Sequence, residues 1–167
     1  MPNYTSEPPQ RVAFRLFVRY NITMINIGLL FLYYFIAYAV VTLIGILHTI
    51  FNIKVLHYRS MKESPGMGEA YEKTKPFHVL YNIIIFPFFA WLYLNSLSPL
   101  TIESALWLSL IWGTITVILD LVGWVLIKHP WSLSFKEFYI DYQPWITLIY
   151  LTIYTSPFIS YGIIHIF

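Results

Sequence analysis

Cysteine is absent from this 167-residue chain, and charged side chains are scarce. The lack of cysteine excludes disulfide bridges, thiol nucleophiles and cysteine-ligated metal ions. Only 11% of the residues are charged, whereas a soluble domain averages about 25%. So few charges cannot cover a globular surface in water, but they suit a chain whose main solvent is lipid. The formal net charge of +2 is too small to suggest a nucleic-acid partner.

Apolar residues, in contrast, make up 58% of the chain, and aromatic residues alone make up 20%. They form separate runs of the ~20 residues that a bilayer-spanning helix needs. The predicted spans are residues 25–51, 77–97, 104–127 and 145–167. The first run is too long for the apolar core of a signal peptide and lacks a small-residue cleavage site, so we expect it to remain as a helix.

Two further segments have the composition of helices that lie on the membrane surface. Residues 9–21 carry arginines at every fourth position, which form a basic stripe with apolar flanks. Residues 133–143 begin with Ser134 and Glu137 at capping-box spacing and continue with aromatic side chains expected at the headgroup level. The sequence therefore predicts an all-α fold, an integral membrane bundle of four transmembrane helices with one or two amphipathic interfacial helices. We expect a single polytopic membrane domain over residues 1–167.

The distribution of lysine and arginine predicts an orientation. These residues are more frequent in loops 52–76 and 128–143 than on the opposite side of the predicted bundle. The positive-inside rule then places both loops in the cytoplasm and both termini outside. The arginines ahead of the first span favour the reverse orientation, so both alternatives stay open. The expected location is the cell membrane, as a multi-pass protein.

Asp120 lies in the middle of the third apolar run, where a carboxylate costs roughly 2.5–3.5 kcal/mol to insert. On a helix it shares one seam with small and hydroxyl side chains spaced three and four residues apart. That seam comprises Ser109, Gly113, Thr116, Asp120 and Gly123. Small residues let helix backbones approach closely, and small polar residues bond across the interface. We therefore expect Asp120 to face protein or a water-filled cavity, and not lipid.

Polar residues of the other spans are expected to meet this seam. They are Thr42, Gly45, Thr49 and Asn52 in the first span, His78, Tyr81 and Asn82 in the second, and Thr147, Tyr150, Tyr154, Pro157 and Tyr161 in the fourth. A fourth-span tyrosine that donates to Asp120 would satisfy both groups. Asp120 then has two interpretations: a hydrogen-bonded residue that fixes helix register, or a proton or cation site.

The histidines suggest a metal or haem site only weakly. His48, His78 and His129 are predicted near one membrane face, and imidazoles from facing helices ligate haem, zinc or iron. No two of them have the spacing that places ligands on one helical turn, and no metal-binding motif is present. They are therefore weak candidates, and we expect no cofactor.

The sequence contains no nucleophile elbow and no phosphate-binding loop. This favours a non-enzymatic accessory, interaction or lipid-contacting membrane protein. The first alternative is a small proton- or cation-coupled carrier that uses Asp120. The second alternative is a membrane enzyme with a histidine-ligated haem or metal. The expected partners are the lipid bilayer and either a second copy of the chain or a larger membrane complex, with no nucleic acid.

Overall fold

A computed structural model describes the backbone of residues 9–60, 63 and 67–166, and the side chains within those ranges from residue 27 onward. The described residues form helices and no strand. The helices are α1 (Pro9–Lys54), α2 (Glu69–Asn95), α3 (Ile102–Asp120), α4 (Phe135–Tyr139) and α5 (Trp145–Ile166). A π-helical segment, Leu121–Leu126, continues α3 without a break.

Four helical stretches of the described chain are long and apolar enough to cross a bilayer. They are Ile27–Lys54, Glu69–Asn95, Ile102–Leu126 and Trp145–Ile166. Large apolar side chains such as Leu43, Ile84 and Trp107 are exposed on their outer faces, at 55%, 57% and 57%. Lipid covers such surfaces in a membrane, so the prediction of an all-α, four-span membrane bundle is confirmed.

The first helix is longer than the predicted span. Residues 9–21, predicted as a separate interfacial helix, are continuous with the first span in α1. The side chains before Ile27 lie outside the described residues, so the basic stripe on residues 9–21 stays a prediction.

The second helix begins two turns before the predicted boundary at residue 77, and Pro76 lies inside it. Contacts with the end of α1 stabilise these added turns. The Asn52 side-chain amide is buried and donates to the Ala70 carbonyl and the Thr74 hydroxyl, both at 3.0 Å. Pro76 lacks only one helical donor, so a helix held at its start by these bonds tolerates it.

The helices pack in a ring in which α1 contacts α2, α2 contacts α5, and α5 contacts α3. Side chains close the ring between α1 and α3. The Trp112 indole donates to the Leu30 carbonyl at 3.3 Å, and the hydroxyls of Tyr34 and Thr116 lie 2.9 Å apart. Large aromatic residues therefore fill the α1–α3 gap at this level. Further along the bundle, toward the C-terminal end of α1, the helices leave space for a cavity.

Two glycines permit close packing, as the predicted small-residue seams require. A Cβ atom at Gly113 would lie 2.2 Å from the Tyr154 ring, and one at Gly45 would lie 2.7 Å from the His78 Nε2 atom. Gly123, in contrast, has no neighbour within 4 Å of such an atom among the residues that the structure describes. The seam of α3 thus packs tightly at Gly113 and loosens at Gly123.

The short helix α4 carries the predicted capping box. The Ser134 hydroxyl accepts from the Glu137 backbone N–H at 3.2 Å, and the Glu137 carboxylate accepts from the Ser134 backbone N–H at 2.7 Å. The helix covers only Phe135–Tyr139 of the predicted 133–143. Of the aromatic side chains predicted at the headgroup level, Phe138 and Tyr142 are 4% and 2% exposed and therefore pack against protein. Both rings fill the end of the bundle.

Candidate ligand-binding cavity

Asp120 points into the protein, as the sequence predicts. Its side chain is 7% exposed, and the Tyr38 hydroxyl of α1 donates to it at 2.7 Å. The same hydroxyl accepts from the Trp124 indole at 3.3 Å. Asp120, Tyr38 and Trp124 therefore form one chain of hydrogen bonds between α1 and α3.

The predicted donor from the fourth span is a second neighbour of Asp120. The Tyr150 hydroxyl of α5 approaches the Asp120 carboxylate closely enough to interact with it, but it lacks the regular hydrogen-bond geometry that Tyr38 has among the described residues. The donor comes from α1 because Tyr34 and Tyr38 continue the Thr42–Asn52 seam at helical spacing toward the start of that helix. The same helical spacing, extended from Thr42 toward the start of α1, identifies Tyr38 as an inward-facing residue, but the predicted seam begins only at Thr42.

The other predicted seam residues are spread along the bundle. The Ser109 hydroxyl donates to the Tyr154 carbonyl, the Thr116 hydroxyl donates to the Trp112 carbonyl, and the Asn82 amide donates to the His78 carbonyl. The Tyr161 ring packs on the His165 ring, with centroids 4.0 Å apart. The predicted seam residues that line the cavity described below are Thr42, Gly45, Thr49, His78, Asn82, Thr116 and Asp120.

The face that α5 presents to the core agrees with the prediction at Pro157, which is buried, and differs from it at the other positions. Thr147 is exposed, and Tyr150, Tyr154 and Tyr161 are half-buried. The buried positions of α5 are Ile146, Ile149, Thr152, Ile153, Ser156, Pro157 and Ser160. The isoleucines need no hydrogen-bond partner in the interior, and the three buried hydroxyls donate to backbone carbonyls at 2.7–2.8 Å, so none of these side chains carries an unpaired polar atom.

The π-helical segment follows Asp120 directly. Its wider turn is visible in the bond from the Ile127 N–H to the Val122 carbonyl, five residues earlier, at 2.9 Å. The Gly123 carbonyl accepts a bond from the His129 ring at 2.9 Å. Trp124 lies within this segment and reaches Tyr38. Single-turn π-helices occur frequently at functional sites, because they change the direction of a side chain without ending the helix.

A cavity of about 450 Å³ lies beside Asp120. Its walls come from α1, α2, α3, α5 and the segment between the π-helix and α5. Most of the lining is apolar, with isoleucines of α1 and α5 as the main contributors. The aromatic side chains that line it are Tyr38, Tyr71, Trp124, Trp131, Phe138 and Tyr142. The cavity thus combines an apolar body with one acidic group.

A second polar cluster lies in the part of the cavity nearest the loops that connect α1 to α2 and the π-helical segment to α5. The Tyr142 hydroxyl and the His78 Nδ1 atom are 2.5 Å apart, and the buried His78 Nε2 atom has no hydrogen-bond partner among the described residues. Burial raises the pKa of Tyr142 well above its ordinary value, so its phenol stays protonated. Sequence reasoning assigned Tyr142 to the headgroup level and gave it no role in the interior.

Lys75 is the other interior residue that sequence reasoning missed. Its side chain is 2% exposed, and its Nζ atom bonds the Glu72 carboxylate at 2.6 Å. The same atom lies 4.9 Å from the centre of the Tyr142 ring. A lysine beside a span is normally interpreted as a loop residue, but α2 starts early enough to carry Lys75 into the bundle.

The candidate metal ligands do not form a ligand set. The His48 Nδ1 atom bonds the Tyr81 hydroxyl, and His78 bonds Tyr142. The His129 ring bonds the Gly123 carbonyl and caps its own loop. Within the described residues no three histidine, aspartate or glutamate side chains are grouped closely enough to hold a metal ion.

No protein-family model, no curated protein and no solved structure matches the chain. The geometry of the bundle and the chemistry of its cavity therefore have to indicate the function.

Proposed function

We propose that this chain is a small multi-pass membrane protein that contacts lipid and binds an amphipathic molecule in its cavity. The observation that carries the proposal is the space beside Asp120 itself. A volume of about 450 Å³ falls within the ~300–1,000 Å³ typical of small-molecule sites. Its mainly apolar walls suit a hydrocarbon body, and the groups around Asp120 suit a polar end.

Purification with bound ligand tests the proposal. The protein is extracted in mild detergent, washed, and its organic extract is analysed by mass spectrometry for an amphiphile at a stoichiometry near one. Thr42 lines the cavity and its neighbour Leu43 faces lipid. Thr42→Trp is expected to fill the cavity and lose the amphiphile, whereas Leu43→Trp keeps it. Equal loss or equal retention in the two variants would overturn the proposal.

The second candidate function is a small proton- or cation-coupled carrier. The observation that favours it is that Asp120 lines the cavity and is not sealed within a helix interface. Intramembrane acids often mark ion pathways. In liposomes with an imposed pH gradient, a carrier is expected to move protons or monovalent cations, and Asp120→Asn is expected to stop that flux. A flux that Asp120→Asn leaves unchanged removes this candidate.

The partners and the orientation are proposals too. We propose that the protein acts as a homo-oligomer or within a larger membrane complex. The wide band of exposed apolar residues supports this, because neighbouring protein could cover part of the band and lipid the rest. Cross-linking in native membranes, read by mass, tests this. We also propose the cytoplasmic placement of loops 52–76 and 128–143, supported by their lysine and arginine content.

A further inference from the structure

The charge of the cavity narrows the class of ligand. Asp120 is the acidic residue of its lining, and no lysine or arginine belongs to that lining among the described residues. The nearest buried cation, Lys75, is held by Glu72 at 2.6 Å and by the Tyr142 ring. Lys75 thus has its own counter-charge, and Asp120 has none from the described side chains.

The hydrogen bonding of Asp120 leaves acceptor capacity unused. A carboxylate has about four lone-pair positions, and among the described side chains Tyr38 donates to one oxygen at 2.7 Å. The Tyr150 hydroxyl approaches the carboxylate as well, without regular hydrogen-bond geometry, so at least two of the four positions have no donor among the described side chains. A buried carboxylate with this little compensation is expensive unless a further donor or a cation joins it.

Aromatic rings surround the acid. Tyr38 donates to the Asp120 carboxylate at 2.7 Å, and the Trp124 indole donates to the Tyr38 hydroxyl at 3.3 Å. Tyr71 and Tyr142 are close enough to interact with the charge of Asp120. All four line the cavity. The faces of aromatic rings attract organic cations, most strongly where water is excluded. The Tyr142 ring already shows this behaviour toward Lys75, whose Nζ atom lies 4.9 Å from its centre.

We propose that the molecule bound in the cavity is an amphipathic organic cation, with its charge between the Asp120 carboxylate and the rings of Tyr38 and Trp124. Its apolar body lies along the isoleucine-lined walls. This inference rests on the proposed function, because it names the charge of the amphiphile assigned to the same cavity. An anionic headgroup would meet Asp120 with no compensating cation, and a neutral one would leave the carboxylate unpaired.

Two hydrophobic ions of the same shape and opposite charge test the sign of the charge. Tetraphenylphosphonium and tetraphenylborate are titrated into the protein in phosphatidylcholine nanodiscs, with empty nanodiscs subtracted and tryptophan fluorescence as the signal. Saturable binding of tetraphenylphosphonium near one per chain is expected, with none for tetraphenylborate. Equal binding of both ions, or binding of the borate alone, would overturn the assignment of a cation.

Variants locate the binding. Asp120→Asn is expected to weaken tetraphenylphosphonium at least about tenfold, and Trp124→Leu several-fold, because both remove a cation-binding group. Glu103→Gln is the matched control, since Glu103 is an exposed acid at the start of the same helix, bonded to Trp107. If Asp120→Asn does not fold, the comparison of the two ions on the unaltered protein still decides.

The experiments distinguish a failure of the cationic ligand from a failure of the proposed amphiphile-binding function. If neither ion binds but the extract holds a neutral amphiphile that Thr42→Trp displaces, the cation is wrong and the lipid-binding function stands. If no amphiphile is extracted and neither ion binds, the proposed function fails and the cation with it.

Discussion

The Tyr38 hydroxyl and the Asp120 carboxylate lie 2.7 Å apart, and this hydrogen bond joins α1 to α3 where the two helices are otherwise separated by side chains. The bond satisfies part of the hydrogen-bonding capacity of the Asp120 carboxylate, the group of the third span that costs most free energy to place in a membrane. The Trp124 indole adds a bond to the same hydroxyl, so the π-helical segment is tied to α1 as well.

Removal of this hydroxyl is expected to destabilise the bundle. Tyr38→Phe keeps the ring and leaves one Asp120 oxygen without its donor, for an expected loss of about 1 kcal/mol in the free energy of unfolding. Tyr33→Phe is the matched control, since Tyr33 lies on the same helix and packs against Phe89. Unfolding in mixed micelles by added dodecyl sulfate measures both. Equal stability of the two variants would show that the bond contributes nothing.

Gly113 is expected to tolerate no side chain. A Cβ atom there would lie 2.2 Å from the Tyr154 ring, so Gly113→Ala must displace that ring or move α3 away from α5, and it is expected to cost about 1–3 kcal/mol. Gly162→Ala, with no atom of the described residues within 4 Å of the new Cβ, is expected to be neutral or slightly stabilising. Thermal unfolding in detergent compares the two. The additional change Tyr154→Ala should restore stability to Gly113→Ala in part, and no recovery would argue against this contact.

The four spans and the inward direction of Asp120 could be predicted from the sequence, because both follow from the free-energy cost of placing polar groups in hydrocarbon. It missed the partner of Asp120 because a tyrosine within an apolar run resembles any other lipid-tolerant aromatic residue. Lys75 was missed because helix length is poorly defined where a proline follows a polar segment. The π-helical turn after Asp120 could not be predicted from the sequence. A single widened turn is too short to change the spacing of apolar residues detectably, and it needs no particular residue type.

The capping box of α4 is expected to depend on pH. The pKa of Glu137 is lowered below its ordinary 4.5 because its carboxylate accepts from the Ser134 backbone N–H and then from the Ser134 hydroxyl. A lowered pKa in the folded state means that the charged form contributes stability, present above the ordinary value and lost as pH falls through the lowered one. The protection factors of the amides in residues 134–139, which are ratios of the intrinsic to the measured exchange rate at each pH, should therefore fall below pH 4.5.

Two variants check that assignment. Glu137→Gln removes the charge and is expected to remove the acid-induced change in exchange, leaving α4 less protected at neutral pH. Ser134→Ala is expected to cost about 1 kcal/mol of local stability through the lost cap. Protection factors that fall in acid equally in Glu137→Gln and in the unaltered chain would assign the pH dependence to another group.

The topology can be measured cleanly because the chain has no cysteine of its own. Single cysteines at His57, Ser98 and Trp131, all exposed positions between membrane-length helices, provide labelling sites without background. His57→Cys and Trp131→Cys should react with a membrane-impermeant maleimide from the same side, because an even number of spans separates them. Ser98→Cys should react only from the other side. With the proposed orientation, intact cells label Ser98→Cys and leave the other two unlabelled until the membrane is opened. The reverse pattern would keep the four-span bundle and invert the orientation, whereas labelling of all three from outside would contradict the bundle itself.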